Sequence, residues 1–438
     1  MAVEAVRDCI VSDDPEAIDS LFFGTTTAPF ADRLNAGIIA GALNLPDTLR
    51  AQDVTGSLRA GTSALLSAID AVRARGISAL CVASDRRAAP AGTKQELATG
   101  HGAAAIQVVP GAGVARLLGT ASLTVDFVDH FRAASSEFDY YWEERWIREE
   151  GYIKLVPELI SRVLADADIK PESIDHFCFP VPVARMAKTV ASNASLSDES
   201  VEDALSEGCG DTGAAHSVLM LVRALETAKP GERILVVGFG QGGDALVFEA
   251  TDAIVEYQRR GSGVRKWLER RAPLAYHRYL ALNGMVKVDR GIRAETDKPT
   301  ALTAAFRHSD FLLGLVGGRC VECGTRQIPR SNICVNPDCH LSDTQAPEAF
   351  ADTLGSVVSW SADSLTYTPD PPAYYGMINF DHGGRLMMNF ADVEGAPVEV
   401  GMSMRMVFRV KDQDDRRGFT RYFWKAAPVE LREAGANG

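Results

Sequence analysis

The sequence predicts a layered α/β sandwich with mixed sheets, followed by a small all-β region. Three observations lead there. Helical and strand-like segments alternate from residue 1 to about 255, the pattern of stacked sheet and helix layers. From residue 313 onward, short alternating apolar runs are broken by turn residues at intervals of about eight to twelve, the texture of a small β-barrel. Between these textures the cysteines crowd together, and that junction carries chemistry of its own.

The elements follow in order. MAVEAVRDCI opens directly in a helix with no strand before it, so either residues precede Met1 or another subunit completes the sheet. AIDSLFFGTTT reads as a strand, DRLNAGIIAGALNL as a helix, ISALCVASD as a buried strand and HGAAAIQVVPG as another strand. DVTGSLRAGTSALLSAIDAVRARG, Asp53 to Gly76, is a strand end, a tight turn and an amphipathic helix, with Thr62, Leu65, Leu66, Ile69 and Val72 at helical spacing. The side chain aimed out of that turn is Leu58. GYIKLVPELISRVLADADI predicts a helix, IDHFCFPVP a strand and TGAAHSVLMLVRALETA a long amphipathic helix. ERILVVGFGQGGDALVFEA is a strand, a Gly-rich loop and a second strand. EFDYYWEERWIREEGY, which holds Tyr140, reads as a helix lining a partner or a pocket, or as a packed surface helix. Residues 256–312 form a charged linker and docking segment, 313–345 a cysteine-rich ribbon, 346–430 the barrel and 431–438 a flexible tail.

Composition narrows the function classes. The 438 residues are 46% hydrophobic and 24% charged, as in soluble proteins of two or three domains, and the net charge of −13 argues against nucleic acid as a partner. No apolar run approaches the roughly 18 residues of a membrane span, and no basic-plus-apolar leader opens the chain, so the cytoplasm is the expected compartment.

Of eight cysteines, Cys9, Cys81, Cys178 and Cys209 are scattered, as buried small apolar residues are. Cys320, Cys323, Cys334 and Cys339 instead form two pairs in CVECGTRQIPRSNICVNPDC, the spacing of a structural zinc ribbon. Four thiolates in a tetrahedron leave no open coordination position, so the metal would be structural. His340 beside Cys339 is a substitute ligand.

GFGQGGD, Gly238 to Asp244, has the glycines of a dinucleotide loop but runs strand to strand, so it fails that motif's context. Its Gly240, Gly242 and Gly243 mark either a tight hairpin or a place where backbone approaches a ligand. His101, in ATGHGAAA, and His216, one helical turn beyond Asp211, are base candidates or satisfied structural histidines.

Taken in order, these segments resemble the thiolase superfamily, in its hydroxymethylglutaryl-CoA synthase and ketoacyl synthase III branch, over residues 1 to about 255. DVTGSLRAGTSALLSAI resembles that branch's nucleophile turn, with Leu58 where the cysteine falls. FCFPVPVARMAK resembles its histidine segment, with Pro180 where the histidine falls. GCGDTGAAHSVLML resembles its asparagine turn, with Asp211 at that position, and FFGTTTAP the strand end of its acid, here Thr26. Residues from about 310 to 430 resemble a family in which a rubredoxin-like zinc ribbon precedes an OB fold, found beside or fused to thiolase-like chains in acyl-CoA metabolism. The implied architecture is a layered thiolase-like sandwich, then a zinc ribbon and a small OB-type β-barrel.

The resemblance implies a coenzyme A thioester as substrate or ligand. Arg185 stands at the spacing of the synthases' phosphate-binding lysine, and Leu58, Thr26, Pro180 and Gly240 to Gly243 would face the bound thioester. Leu58 forms no thioester and Pro180 moves no proton, so a cysteine acyl-enzyme is excluded at these positions. Two functions fit. The chain makes or cleaves a C–C bond on a CoA thioester in an aldol or retro-aldol step, with Asp211, His101, His216 or Tyr140 as base and backbone N–H groups near Gly240 as donors. Alternatively it is a catalytically silent acyl-CoA-binding subunit. The expected assembly is a homodimer or a hetero-oligomer with a thiolase-like chain.

Overall fold

The computed structural model describes residues 1–10, 17–183, 185–261, 263–269, 274–289, 301–369, 371–393 and 397–429. The tail expected at 431–438 lies outside the described residues. The chain divides into two compact units, Met1–Ala40 with Leu45–Met285, and Gly41–Asn44 with Val286–Gly438.

In the first unit, β1 (Ile18–Gly24), β2 (Arg50–Val54), β3 (Ser78–Arg86) and β4 (His101–Val108) form one sheet in the order β2-β1-β3-β4. The β1 pairings with β2 and β3 are parallel and the β3–β4 pairing is antiparallel. Next come β5 (Ala115–Thr124), a short ribbon of β6 (His130–Phe131) and β7 (Tyr140–Tyr141), and then β8 (His176–Cys178), β9 (Arg233–Phe239) and β10 (Gly242–Ala250). The second sheet runs β5-β10-β9-β8, with β8–β9 parallel and the rest antiparallel. Both sheets are therefore mixed. Helix Ala60–Arg75 ends at Gly76, whose φ of 70° is the left-handed geometry that stops a helix.

One core joins the inner faces of both sheets. Phe22, Cys81 and Ala83 of the first sheet and Ile234, Val236 and Leu246 of the second pack around helices Ala60–Arg75 and His216–Leu225. The second of these helices is not amphipathic in place. Nine of its ten residues are buried, because it lies between two sheets. A second core, with Phe177, Leu235, Val237 and Val247, faces helix Ile153–Ala167. Strands β9 and β10 are covered on both faces, which is why they read as continuous apolar runs.

Three local readings change. Ala115–Thr124 is a strand, although its mixed ARLLGTASLT pattern did not single it out. Tyr140 and Tyr141 belong to the β6–β7 ribbon, and helix begins only at Glu144. The linker expected from residue 256 instead begins inside the first unit. Ile254 and Val264 are buried in its core, Asp8 Oδ2 accepts the Gly263 N–H at 2.8 Å, and Glu226 Oε1 accepts that of Arg265 at 3.1 Å.

In the second unit, β11 (Val316–Cys320), β12 (Arg326–Gln327) and β13 (Gln345–Ala349) form a three-stranded sheet in the order β12-β11-β13. Strands β14 (Gly355–Asp363), β15 (Ala373–Phe380), β16 (Arg385–Asn389), β17 (Ser403–Asp414) and β18 (Phe419–Pro428) follow in the order β16-β15-β14-β17-β18. The expected barrel is thus a five-stranded antiparallel sheet whose ends approach at the single bridge Phe390–Ala426. No helix among the described residues is long and apolar enough to cross a membrane.

One clamp gives the first unit a pH-dependent stability. His176 at the start of β8 holds Glu202 at 2.6 Å through Nδ1 and Glu232 at 3.0 Å through Nε2, with its side chain 14% exposed. Burial alone lowers the imidazole pKa, but hydrogen bonds to Glu202 and Glu232 and their charges outweigh it and raise the pKa above its ordinary value. A raised folded pKa stabilises fully below the unfolded value of about 6.5 and is lost as pH rises through the folded one. Thermal unfolding should therefore show the native chain losing more stability from about pH 6 to pH 8.5 than His176→Gln loses. Equal losses would remove the clamp from the account.

Candidate functional site

Strands β1 and β3 run parallel side by side, so their carboxyl ends open at the same place. Asp85, 1% exposed near the end of β3, organises that place. Its carboxylate accepts the hydroxyls of Thr25 (2.9 Å), Thr26 (2.8 Å) and Thr27 (2.8 Å) and the N–H groups of Thr26 (2.7 Å), Thr27 (3.0 Å) and Ala214 (2.8 Å). Small residues permit the crowding. A Cβ on Gly24 would stand 2.6 Å from Ala60 O, and one on Gly61 would stand 2.0 Å from Ala214 O. The β1 end, the start of helix Ala60–Arg75 and the 211–215 turn therefore meet.

Arg87, two residues beyond Asp85, is the centre of the charge. Its side chain is 1% exposed. It donates from one terminal nitrogen to Asp211 Oδ2 at 2.7 Å, and from the other to Asp139 Oδ2 at 2.7 Å and to the Tyr141 hydroxyl. Arg132 in turn donates to Asp139 Oδ1 at 2.9 Å and to the Thr26 carbonyl. Two arginines and two aspartates thus alternate, and each buried charge has an opposite neighbour, as burial demands. The second Asp211 oxygen accepts the Gly213 N–H at 2.9 Å. Burial pushes the Asp211 pKa up, but the Arg87 charge, with help from His216 and the Gly213 N–H, holds it well below the usual carboxylate range. Burial pushes the Tyr141 hydroxyl well above its ordinary value.

A cavity of about 230 Å³ opens beside this cluster. Leu97, Ala98, Pro180, Val181 and Pro182 make its apolar wall, and Ser206, Asp211 and His216 its polar wall. The structure brings Pro180, Asp211 and His216 together here. His216 is 3% exposed and accepts the Thr212 N–H on Nδ1 at 3.1 Å, while Nε2 lies 2.7 Å from the Ala204 carbonyl. With that carbonyl only an N–H can pair, so both ring nitrogens are occupied. As a base candidate His216 is corrected to a structural residue.

The remaining candidates stand off the cavity wall. Tyr140 is 56% exposed, and its neighbour Tyr141 is the tyrosine that joins the charge cluster. His101 begins β4 and sets Nε2 3.2 Å from the Arg87 carbonyl. Thr26 is held by Asp85. Arg185 is exposed, with a φ of 62°, at the start of helix Met186–Asn193. Leu58 is half-buried in a turn clamped by Ser57 Oγ on Gly240 O at 2.8 Å and by Arg59 on Leu123 O at 2.9 Å. The glycines of GFGQGGD serve packing. A Cβ on Gly240 would meet Ser57 Oγ at 2.4 Å, one on Gly242 Leu123 O at 1.9 Å and one on Gly243 Leu159 Cδ2 at 2.8 Å. The Gly240 N–H is spent on Gly242 O at 3.0 Å, which corrects its reading as an oxyanion donor.

No thiol replaces the missing one: Cys81, with Sγ 3.7 Å from Gly61 O, is fully buried and burial pushes its pKa far up. Cys178 is fully buried with Sγ 3.6 Å from Met220 O, and burial pushes its pKa far up. Cys209 is pushed up to about 11 by burial and by the charges of Asp211 and Asp203. Sequence reasoning missed Asp85, Arg87, Asp139 and Tyr141. The one available signal was SDRR, with charges at 85 and 87 continuing an apolar strand.

In the second unit the sulfurs of Cys320, Cys323, Cys334 and Cys339 lie within 4.8 Å of one another. Cys320–Cys339 is 3.9 Å and Cys323–Cys334 3.5 Å, close to the roughly 3.8 Å edge of a tetrahedron with zinc–sulfur bonds of about 2.3 Å. The four thiols fit a structural zinc ion, and His340 is not part of the group.

Comparisons with known proteins follow the same division. Residues 164–248 match the family model "3-oxoacyl-(acyl-carrier-protein) synthase III C terminal", and residues 351–409 match "ChsH2, C-terminal OB-fold domain". Hydroxymethylglutaryl-CoA synthase of Aeropyrum pernix is 30% identical over 295 residues, 66% of this chain and 81% of that protein. The chain belongs to the hydroxymethylglutaryl-CoA synthase family. The synthase of Methanopyrus kandleri is 28% identical over 293 residues, 66% of this chain and 83% of its own. The fold is shared with a solved hydroxymethylglutaryl-CoA synthase complexed with CoA (TM-score 0.58, 19% identity, covering 68% of this chain and 81% of that one). It is also shared with 3-oxoacyl-(acyl carrier protein) synthase III of Pseudomonas aeruginosa (TM-score 0.51, 21% identity, 57% and 82%). This member of the hydroxymethylglutaryl-CoA synthase family keeps the scaffold of condensing enzymes that handle CoA.

The cysteine cluster is directly testable. Elemental analysis of the purified chain should give one zinc per chain, and Cys320→Ser should lose it and loosen the second unit while the first unit stays folded. Well under one equivalent in the native chain would contradict the assignment.

Proposed function

We propose that the chain binds a CoA thioester and makes or cleaves a carbon–carbon bond on its acyl part, in an aldol or retro-aldol step without a cysteine acyl-enzyme. The observation that carries the reading is the Asp211 carboxylate on an otherwise largely apolar cavity wall, in a chain that has Leu58 where the nucleophile turn would carry a cysteine. In the cleavage direction the β-hydroxyl proton passes to the Asp211 carboxylate as the Cα–Cβ bond breaks, and that proton then quenches the enolate at Cα. The hydroxyl carbon becomes a carbonyl and the bonding pair passes to the thioester as an enolate. Asp211 accepts the hydroxyl hydrogen bond and orients it for that step.

The family and its solved CoA complex support the ligand class. Arg185, exposed at a helix start, is the residue we assign to the CoA phosphates. The four thiols would hold a structural zinc. A homodimer, or a hetero-oligomer with a thiolase-like chain, is the proposed assembly, with the cytoplasm as its compartment.

One observation favours a second reading, the silent acyl-CoA-binding subunit. Both Asp211 oxygens are already engaged, and a carboxyl held so low is a weak base.

Three measurements test the proposal. Incubation with acetyl-CoA followed by intact-mass spectrometry should show no added acetyl group, and an adduct on Cys178 or Cys209 would restore the acyl-enzyme mechanism. Asp211→Asn should lower kcat for a β-hydroxyacyl-CoA about 10²-fold with CoA affinity nearly unchanged, whereas Arg185→Ala should weaken CoA binding instead. Because the Asp211 pKa is depressed, kcat should show no acid limb from it between about pH 5 and pH 8. Unchanged turnover in Asp211→Asn, or no turnover of any thioester, would give the field to the silent subunit.

A further inference from the structure

The hydroxymethylglutaryl group ends in a free carboxylate, and the cavity is ill-suited to one. We propose that the cavity selects short, neutral β-hydroxyacyl groups and rejects acyl groups that end in a carboxylate, with Asp211 as the specificity-determining residue. The proposal rests on reading the cavity as the acyl site.

Charge argues it first. Among the described residues, Asp211 is the single acid on the wall, and no lysine or arginine lines the cavity. The cation that fixes Asp211 is not available to a ligand. Arg87 is 1% exposed and shared among Asp211, Asp139 and the Tyr141 hydroxyl, so turning it toward a ligand would strip a partner from two acids. The other groups whose electrostatics bear on Asp211 are His216, with both nitrogens used, and Cys209, Tyr141 and Tyr152, all with raised pKa values. None of these presents a lysine or arginine charge to the cavity. A second carboxylate would enter beside a fixed first one with nothing to neutralise it, and like charges so placed are strongly disfavoured.

Hydrogen bonding argues in the same direction. An ionised carboxylate only accepts, so a ligand hydroxyl that donates is what Asp211 can satisfy. Ser206 can donate to or accept from a thioester or hydroxyl oxygen. Size sets the remaining limit. About 230 Å³ lies below the roughly 300–1,000 Å³ of drug-sized sites, which suits a short branched chain.

Calorimetric titration at pH 7 with a matched pair tests this: 3-hydroxy-3-methylglutaryl-CoA and 3-hydroxy-3-methylpentanoyl-CoA, which differ in the terminal carboxylate. The neutral thioester should bind about tenfold or more tightly than its acidic counterpart. Asp211→Asn should bring the two affinities to within about threefold while free CoA binds as before. Should that variant fail to fold, the terminal methyl ester of the glutaryl thioester serves with the native chain, and it should bind like the neutral ligand. Equal binding of the acidic and neutral thioesters, or a preference for the acidic one, overturns the selectivity alone. A neutral thioester that binds no better than free CoA overturns the acyl-site reading as well.

Discussion

The first unit depends on one buried guanidinium. Arg87 is tied at 2.7 Å to Asp211 on the 211–215 turn and at 2.7 Å to Asp139 beside the β6–β7 ribbon, and Arg132 carries the chain of charges on to the carbonyl of Thr26. Without Arg87, two acids would face each other across a largely dehydrated space. With it Asp211 is held ionised, and segments distant in sequence share one electrostatic centre. Removing one member of such a group costs far more than the group contributes as a whole, because the remaining charge is stranded. The arrangement also decides chemistry, since a carboxylate fixed to a buried cation orients a donor well and takes up a proton poorly.

Backbone packing places that centre. Gly24 and Gly61 let the end of β1, the start of helix Ala60–Arg75 and the Ala214 turn touch. Asp85 then closes the junction by accepting six hydrogen bonds from three threonines and Ala214. At the other side Asp244 accepts from Ser63 at 2.6 Å and Ser122 at 2.7 Å, pinning the same helix to β10 and β5. The scaffold of a condensing enzyme survives here because its strand ends are held by acids and hydroxyls, none of which needs a reactive thiol at Leu58.

Much of the fold was legible because local patterns carry it. β3, β9 and β10 are covered on both faces and so read as apolar runs, and the cysteine pairs announced themselves by spacing. What was not legible depends on distant partners. β5 sits at a sheet edge and its ARLLGTASLT pattern mixes polar and apolar residues. Tyr140 and Tyr141 pair with His130 and Phe131, so helical spacing misled there. The site itself was half legible. Asp211 and Pro180 could be found from motif order, whereas the state of Asp211 depends on Arg87, a residue 124 positions away whose role no local pattern announces.

In the proposed function the cavity beside Asp211 receives the acyl part of a CoA thioester without forming a covalent bond to the protein. A crystal structure of the chain with a non-cleavable β-hydroxyacyl-CoA analogue tests it most directly. The account predicts an intact ligand, its acyl group against Pro180 and Val181 and its hydroxyl within hydrogen-bonding distance of the Asp211 carboxylate, which still holds Arg87. An acyl group lodged elsewhere, or density continuous with a cysteine sulfur, would contradict it.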